Sequence, residues 1–248
     1  IEKGAVIIER PDITINLEGA GESITVSLDE DPLAPKAHLL VSELMVLTNA
    51  ALAAWAKEHG VTLLHRTQDV AIPKEFSGIW QTPLEIARVV KALAPAVLET
   101  NPRPHAGLGE AMYAPSTSPL RRYPDMINET QIISLLRDGK PRWSKEELDT
   151  LLPLLNAHLD AAGQVQRFRP RYWKLLYFKQ QGDRWWPAVI TDENDAFVTV
   201  NMPKEQMIVR ARRQFFGERT HPGQELEIRL GKVHPLQNDF QLLETREI

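Results

Sequence analysis

Two adjacent arginines, Arg121 and Arg122, follow a Ser118-Pro119-Leu120 step in the stretch Tyr113-Ala-Pro-Ser-Thr-Ser-Pro-Leu-Arg-Arg-Tyr-Pro-Asp-Met-Ile-Asn128. A guanidinium keeps its charge at physiological pH and offers a planar fork of donors that fits phosphate oxygens. Thr117 or Ser118 is placed to cap a helix starting at Pro119, where a missing N–H costs nothing. On that reading both arginines lie in the first helical turn, beside N–H groups that favour an anion. The chemistry would be a phosphate clamp. The plainer alternative is a surface arginine pair, with Asp125 as the partner of Arg122 on the same turn. Tyr113 and Tyr123 flank the motif, placed either to stack on a base or to pack in a core.

Other chemistries find little support. With no cysteine, disulfides and thiolate-held metals are excluded, and a reducing compartment is expected. The seven histidines are scattered, with no His-x-x-x-His pair to hold zinc. No P-loop occurs, and no Ser–His–Asp arrangement can be assigned. Asp29-Glu30-Asp31 reads as a solvated connection, and Asp192-Glu193-Asn194-Asp195 as a hairpin turn. A net charge of −4 argues against a uniformly basic nucleic-acid binder. Yet Arg167, Arg169, Arg171, Lys174, Lys179 and Arg184 crowd one stretch, and Lys204, Arg210, Arg212, Arg213 and Arg219 another. A basic groove on an acidic protein still binds a phosphate backbone. We see no signal peptide and no apolar run of about 18 residues, so no membrane span is expected.

The elements that must carry these residues are read from periodicity. Residues about 4–30 alternate apolar and polar around a Gly19-Ala-Gly21 turn and read as a hairpin. A Leu- and Ala-rich helix spans about 36–59, followed by a short strand at Thr62-Leu63-Leu64. Thr82-Pro83-Leu84-Glu85 is a capping box opening a helix to about Leu98. The arginine helix runs to about Arg137 and stops at Gly139. Ser144-Lys-Glu-Glu147 opens further helical sequence to about Gln180, with Gly163, Pro153 and Pro170 as points of bending or interruption. After Gly182, five short alternating strands at Trp185–Thr191, Ala196–Val200, Met207–Arg210, Glu225–Val233 and Phe240–Leu243 suggest an OB-type barrel. Of adjacent Trp185 and Trp186, one should face inwards and one outwards. Phe197, Phe215 and Phe216 are the candidates to stack on bases, with Arg210, Arg212 and Arg213 tracking the backbone; the alternative is that the aromatics are core.

The Tyr113–Asn128 block resembles the signature of the RNB exoribonucleases, the ribonuclease II family. His105-Ala-Gly-Leu-Gly109 leads into it as the family's His-x-Gly-Leu block does. Upstream, Arg10-Pro11-Asp12 lies between strand-like runs, and Val41-Ser-Glu-Leu-Met-Val-Leu-Thr-Asn49 resembles the family's Val-Glu-Glu-x-Met helix. Pro222-Gly223 before a Leu- and Ile-rich strand resembles the barrels named after ribosomal protein S-one. The resemblance covers nearly the whole chain. It implies a 3′-to-5′ hydrolytic exoribonuclease that releases nucleoside 5′-monophosphates from single-stranded RNA, using Mg²⁺ held by an aspartate cluster. That cluster is not in this chain, so the resemblance places it in sequence upstream of Ile1, in the N-terminal part of the same protein. It assigns Arg121 to the phosphate near the scissile bond and Arg122 to a neighbouring phosphate or a carboxylate. Ser118, Tyr113 and Tyr123 join the RNA-binding set. Glu43 falls in the family's acidic pair near the terminal ribose, but Ser42 replaces the first acid. Ile7 and Ile8 stand where ribonuclease II has an aromatic clamp, and Gln166-Arg167-Phe168 where the family tends to carry a glutamate.

The expected fold is α+β. Residues 1–180 would be the mainly helical C-terminal part of an RNB catalytic domain with part of its sheet, and 181–248 a five-stranded OB-type barrel. The expected protein is cytoplasmic, monomeric and not bound to membrane. The competing expectation is a non-catalytic RNA-binding protein derived from the same fold.

Overall fold

The computed structural model describes residues 1–31, 35–217 and 219–248. They divide into two compact units. The first holds 1–9, the described part of 34–80, and 91–160; the second holds the described part of 10–33, then 81–90 and 161–248.

In the first unit, α1 (Pro35–Glu58) is the Leu- and Ala-rich helix. Its C-terminal half buries Asn49, Ala53 and Ala56, while Leu39, Leu40, Val41, Leu44 and Leu47 remain exposed. This corrects the expectation that no run is apolar enough to span a membrane. By length and composition α1 qualifies, with a mean hydropathy of 1.6 over its best window. The strands here are short. β1 (Val6–Ile8) pairs in parallel with β5 (Gly78–Trp80), and β4 (His65–Thr67) pairs antiparallel with β6 (Val97–Glu99). The expected strand at Thr62–Leu64 therefore begins one residue past it. Leu63 and Leu64 are fully buried in the connection instead.

α3 (Tyr123–Asp138) is the helix after the twin arginine, and it starts four residues later than Pro119. The proline that enters its first turn is Pro124, and Arg122 is the N-cap. α4 (Lys145–Gln180) runs unbroken through Pro153, Gly163 and Pro170. Its start is the expected capping box: Ser144 N–H donates to the Glu147 carboxylate at 2.8 Å, and Glu147 N–H to Ser144 Oγ at 3.2 Å.

The second unit contains β2 (Ile13–Glu18) and β3 (Thr25–Glu30), the expected hairpin. Gln180, at the end of α4, grips it: its Oε1 accepts from Val26 N–H at 2.9 Å and its Nε2 donates to Ile24 O at 2.7 Å. α2 (Pro83–Ala92) opens at the Thr82–Glu85 capping box but ends well short of Leu98. Pro95 explains this, because the residue before a proline is driven out of helical geometry. The barrel strands are β7 (Trp185–Glu193), β8 (Phe197–Met202), β9 (Met207–Arg212), β10 (Glu225–His234) and β11 (Asp239–Glu247). They form one antiparallel sheet in the order β11-β10-β7-β8-β9. That is the order of an OB-type barrel, with β7 between β8 and β10. Alternate residues such as Val198, Val200 and Met202 turn inwards onto Ile190, Ile228 and the helix residues Leu175 and Phe178. Each such side chain contributes about 1.5–3 kcal/mol by leaving water. Trp186 is buried and Trp185 half-buried, as alternation requires.

Candidate functional site

Residues 113–118, just before the twin arginine, have no regular secondary structure, yet Tyr113–Ser116 are buried. Backbone groups buried without a ladder need other partners. Side chains of two helices supply them. Asn49 of α1 donates from Nδ2 to Tyr113 Oη at 2.8 Å and to Thr117 Oγ1 at 3.3 Å, and its Oδ1 accepts from Ser116 N–H at 2.9 Å. Asn128 of α3 donates from Nδ2 to Pro115 O at 2.9 Å and Leu64 O at 2.8 Å, while its Oδ1 accepts from Leu64 N–H at 2.7 Å. Both asparagines are fully buried. One turn on, Gln131 bonds Thr62 O and both backbone groups of Trp143.

The loop then turns at Pro119–Arg121. Ser118 O accepts from Arg121 N–H at 3.2 Å and Arg122 N–H at 2.9 Å. Asp125, in the first turn of α3 and only 1% exposed, takes the place expected for an external anion. Its Oδ1 accepts from Ser118 N–H at 2.9 Å and from Arg122 Nη2 at 2.7 Å. Arg122 also reaches Thr117 Oγ1 at 3.4 Å.

Arg121 is different. It is exposed, and among the described residues its one side-chain hydrogen bond goes to Ser118 Oγ at 3.4 Å and no carboxylate pairs with it. Tyr123, 50% exposed, stands one residue beyond the pair. The expectation that both arginines lie in the first turn is therefore corrected. They precede the helix because Tyr123-Pro124, not Ser118-Pro119, provides its proline-bearing start. Tyr113 is also not available to a base: it is 8% exposed, bonded to Asn49 and packed edge-on against His105 at 5.7 Å.

His105 is structural. Its N–H bonds Glu110 O at 2.8 Å, and burial holds its imidazole below the usual range, aided by Arg66. Gly109 nearby is sterically required: at φ 66°, a Cβ there would come within 2.6 Å of the backbone Lys3 O, whereas one at Gly107 would have to displace the end of the Gln68 side chain, 2.7 Å away. Ser42 and Glu43 are exposed on the N-terminal half of α1. Ser42 is two turns, about 10 Å along the axis, from Asn49 on the same face. Among the described residues no hydrogen bond joins either to the arginine turn.

The sequence reading missed Asn49, Asn128, Gln131 and the structural weight of Asp125. A signal was present. Asparagine is a poor helix former and wants backbone partners. Asp125, Asn128 and Gln131 lie at helical spacing, a stripe that reads as a solvent face. In α3 this polar stripe is buried, and Met126, Ile133 and Leu136 are exposed instead.

In the barrel unit, Arg210 lies over the Phe197 ring at 4.4 Å, covering one of its faces. Arg212 is exposed on β9, and Phe215 is 37% exposed on the short turn after it. Two expectations are corrected. Arg213 is tied into the fold, paired with Glu193 at 3.0 Å and bonded to Thr220 at 3.1 Å, so it is not free to follow a backbone. Phe216 belongs to the barrel core. A small cavity of about 120 Å³ in the same unit is lined by Arg10, Lys204, Asn201 and Gln206.

No three His, Asp or Glu side chains among the described residues come together to hold a metal ion. Asp29 and Asp31 are engaged by Asn16 and Thr14 across the hairpin. The donor set of the described residues does not fit a two-metal centre.

A family model described as RNB domain matches residues 1–138. An uncharacterised ribonuclease of Synechocystis is 24% identical over 98% of this chain, which spans 36% of that protein. Among solved structures, an exoribonuclease of Candida glabrata, determined as an active-site mutant, superposes with a TM-score of 0.79 at 22% identity, over 97% of this chain and 32% of its own. Ribonuclease R of Mycoplasma genitalium, in complex with ribose-methylated single-stranded RNA, gives 0.74 at 15% identity, over 98% of this chain and 46% of its own. The chain thus spans about a third of the length of the first of these relatives.

Proposed function

The chain belongs to the RNB-domain family, and from that premise we propose that it is part of a 3′-to-5′ hydrolytic exoribonuclease that degrades single-stranded RNA to nucleoside 5′-monophosphates. The family match and the RNA-bound relative support this reading. The observation that carries it is Arg121: an exposed guanidinium without a carboxylate partner among the described residues, on a turn pinned by buried side chains. Such a group is ready to take the oxygens of a phosphate. It would stabilise charge building up at the scissile phosphodiester, and it costs little reorganisation because its turn is already set. Magnesium in such an enzyme would have to be held by carboxylates other than the described ones, and the chemistry it would supply is activation of water. Tyr123, half-exposed two residues beyond Arg121, would stack on a base. In the barrel, Arg210, Arg212 and Phe215 would grip incoming RNA by backbone charge and stacking. The intact enzyme would be cytoplasmic and monomeric.

Replacing Arg121 by Ala in the intact protein should cut turnover about 10²-fold or more, with a smaller loss of RNA affinity. Near-normal turnover by a folded variant would sink the assignment. An intact protein that binds RNA but releases no mononucleotide would instead be a non-catalytic RNA-binding member of the same fold.

A further inference from the structure

We propose that Arg122 is not a ligand for RNA phosphate but the internal counter-ion of Asp125, and that this pair sets the Ser118–Arg121 turn from which Arg121 reaches substrate. The inference rests on the reading of Arg121 given above. The two arginines are chemically identical neighbours, yet their surroundings divide their labour. Arg122 Nη2 contacts Asp125 Oδ1 at 2.7 Å, and the carboxylate is almost wholly enclosed. The same oxygen receives Ser118 N–H, and Ser118 O in turn receives the N–H groups of Arg121 and Arg122. A chain of bonds therefore runs from α3 through Asp125 and Ser118 to the backbone of Arg121. Thr117 Oγ1, shared by Arg122 and Asn49, ties this chain to α1. Among the described residues Arg122 Nε and Asp125 Oδ2 are buried without hydrogen-bond partners, and Arg122 is the one charged group paired with the enclosed carboxylate. Removing one member of such a pair is far worse than removing both, because a lone buried charge is left behind.

That asymmetry supplies the test. Asp125→Asn keeps an Oδ1 acceptor for Ser118 N–H and removes the charge that Arg122 balances. Arg122→Ala should lower the melting temperature of the protein by several degrees. Adding Asp125→Asn to it should raise the melting temperature again. Turnover of the intact protein on a short single-stranded RNA should fall with Arg122→Ala and recover in the double variant. The salt dependence of RNA binding should flatten by about 0.7 in log–log slope for Arg121→Ala, and stay at the wild-type value in the double variant. A double variant that melts no higher than Arg122→Ala would overturn the proposal, as would a slope reduced by about 0.7 in the double variant. If the wild-type protein binds no RNA, it is the functional reading that fails, and the melting series alone then decides on the pair.

Discussion

The two units bury different things. The second is organised around one apolar cluster in which strands β7 to β11 close over Leu175, Phe178 and Trp186. The first splits its apolar core into two smaller clusters, around Ala53 and Leu63 and around Ile127 and Leu148. The same unit also buries polar side chains, among them Asn49, His65, Thr67, Gln68, His105, Asp125, Asn128 and Gln131, whereas Thr191 and Glu205 are the buried polar residues of the second unit among those described. Apolar burial is non-directional and tolerates substitution of similar volume. A buried hydrogen-bond network is directional and costly to leave half-made. The lesson is that the unit carrying the arginine turn accepts a riskier core in exchange for an irregular loop held in one conformation.

The largest expected effect sharpens that contrast. Asn128→Ala strands Leu64 N–H, Leu64 O and Pro115 O, and should cost about 3–5 kcal/mol in urea denaturation. A loss below about 1 kcal/mol would mean that the loop supports itself. Next comes acid. Burial holds His65 down to about 4, against the opposing pull of Glu99. The unfolded chain therefore binds this proton first, so the stability is present above the ordinary value of 6.5 and is lost as pH falls to about 4. The swing should be roughly 3 kcal/mol, and His65→Gln should flatten it. An unchanged pH profile in that variant would assign the acid sensitivity elsewhere.

In the barrel, Ile228→Val removes one methylene from a fully buried position and should cost only about 1 kcal/mol by the same measurement. A much larger cost would make the barrel core as exacting as the polar network and erase the comparison. The smallest effects should ignore the division altogether. Thr82→Ala in the second unit and Ser144→Ala in the first each delete an exposed capping-box hydroxyl. Both should cost about 1 kcal/mol. A clear difference between them would show that even local caps depend on the unit they serve.

Much of the architecture was legible because it is written in local rules. Both capping boxes, the hairpin, the αL stop at Gly139 and the five barrel strands follow from backbone geometry and alternation within a few residues. The twin-arginine block and its resemblance to the RNB family were legible for the same reason, since the motif is contiguous. What the sequence left open was whether Arg122 would take a phosphate or its helix neighbour Asp125, and the ion pair decides for Asp125. The sequence also could not say which face of α3 turns inwards. Periodicity assigns a polar stripe to solvent, and Asp125, Asn128 and Gln131 break that rule only because a strandless loop and the Leu64 and Trp143 backbones need partners from afar. Those partners are distant in sequence and become neighbours only when α1, α3 and the loop pack together. A residue's own type sets what bonds it can make, but tertiary packing decides where an unsatisfied backbone group will be waiting.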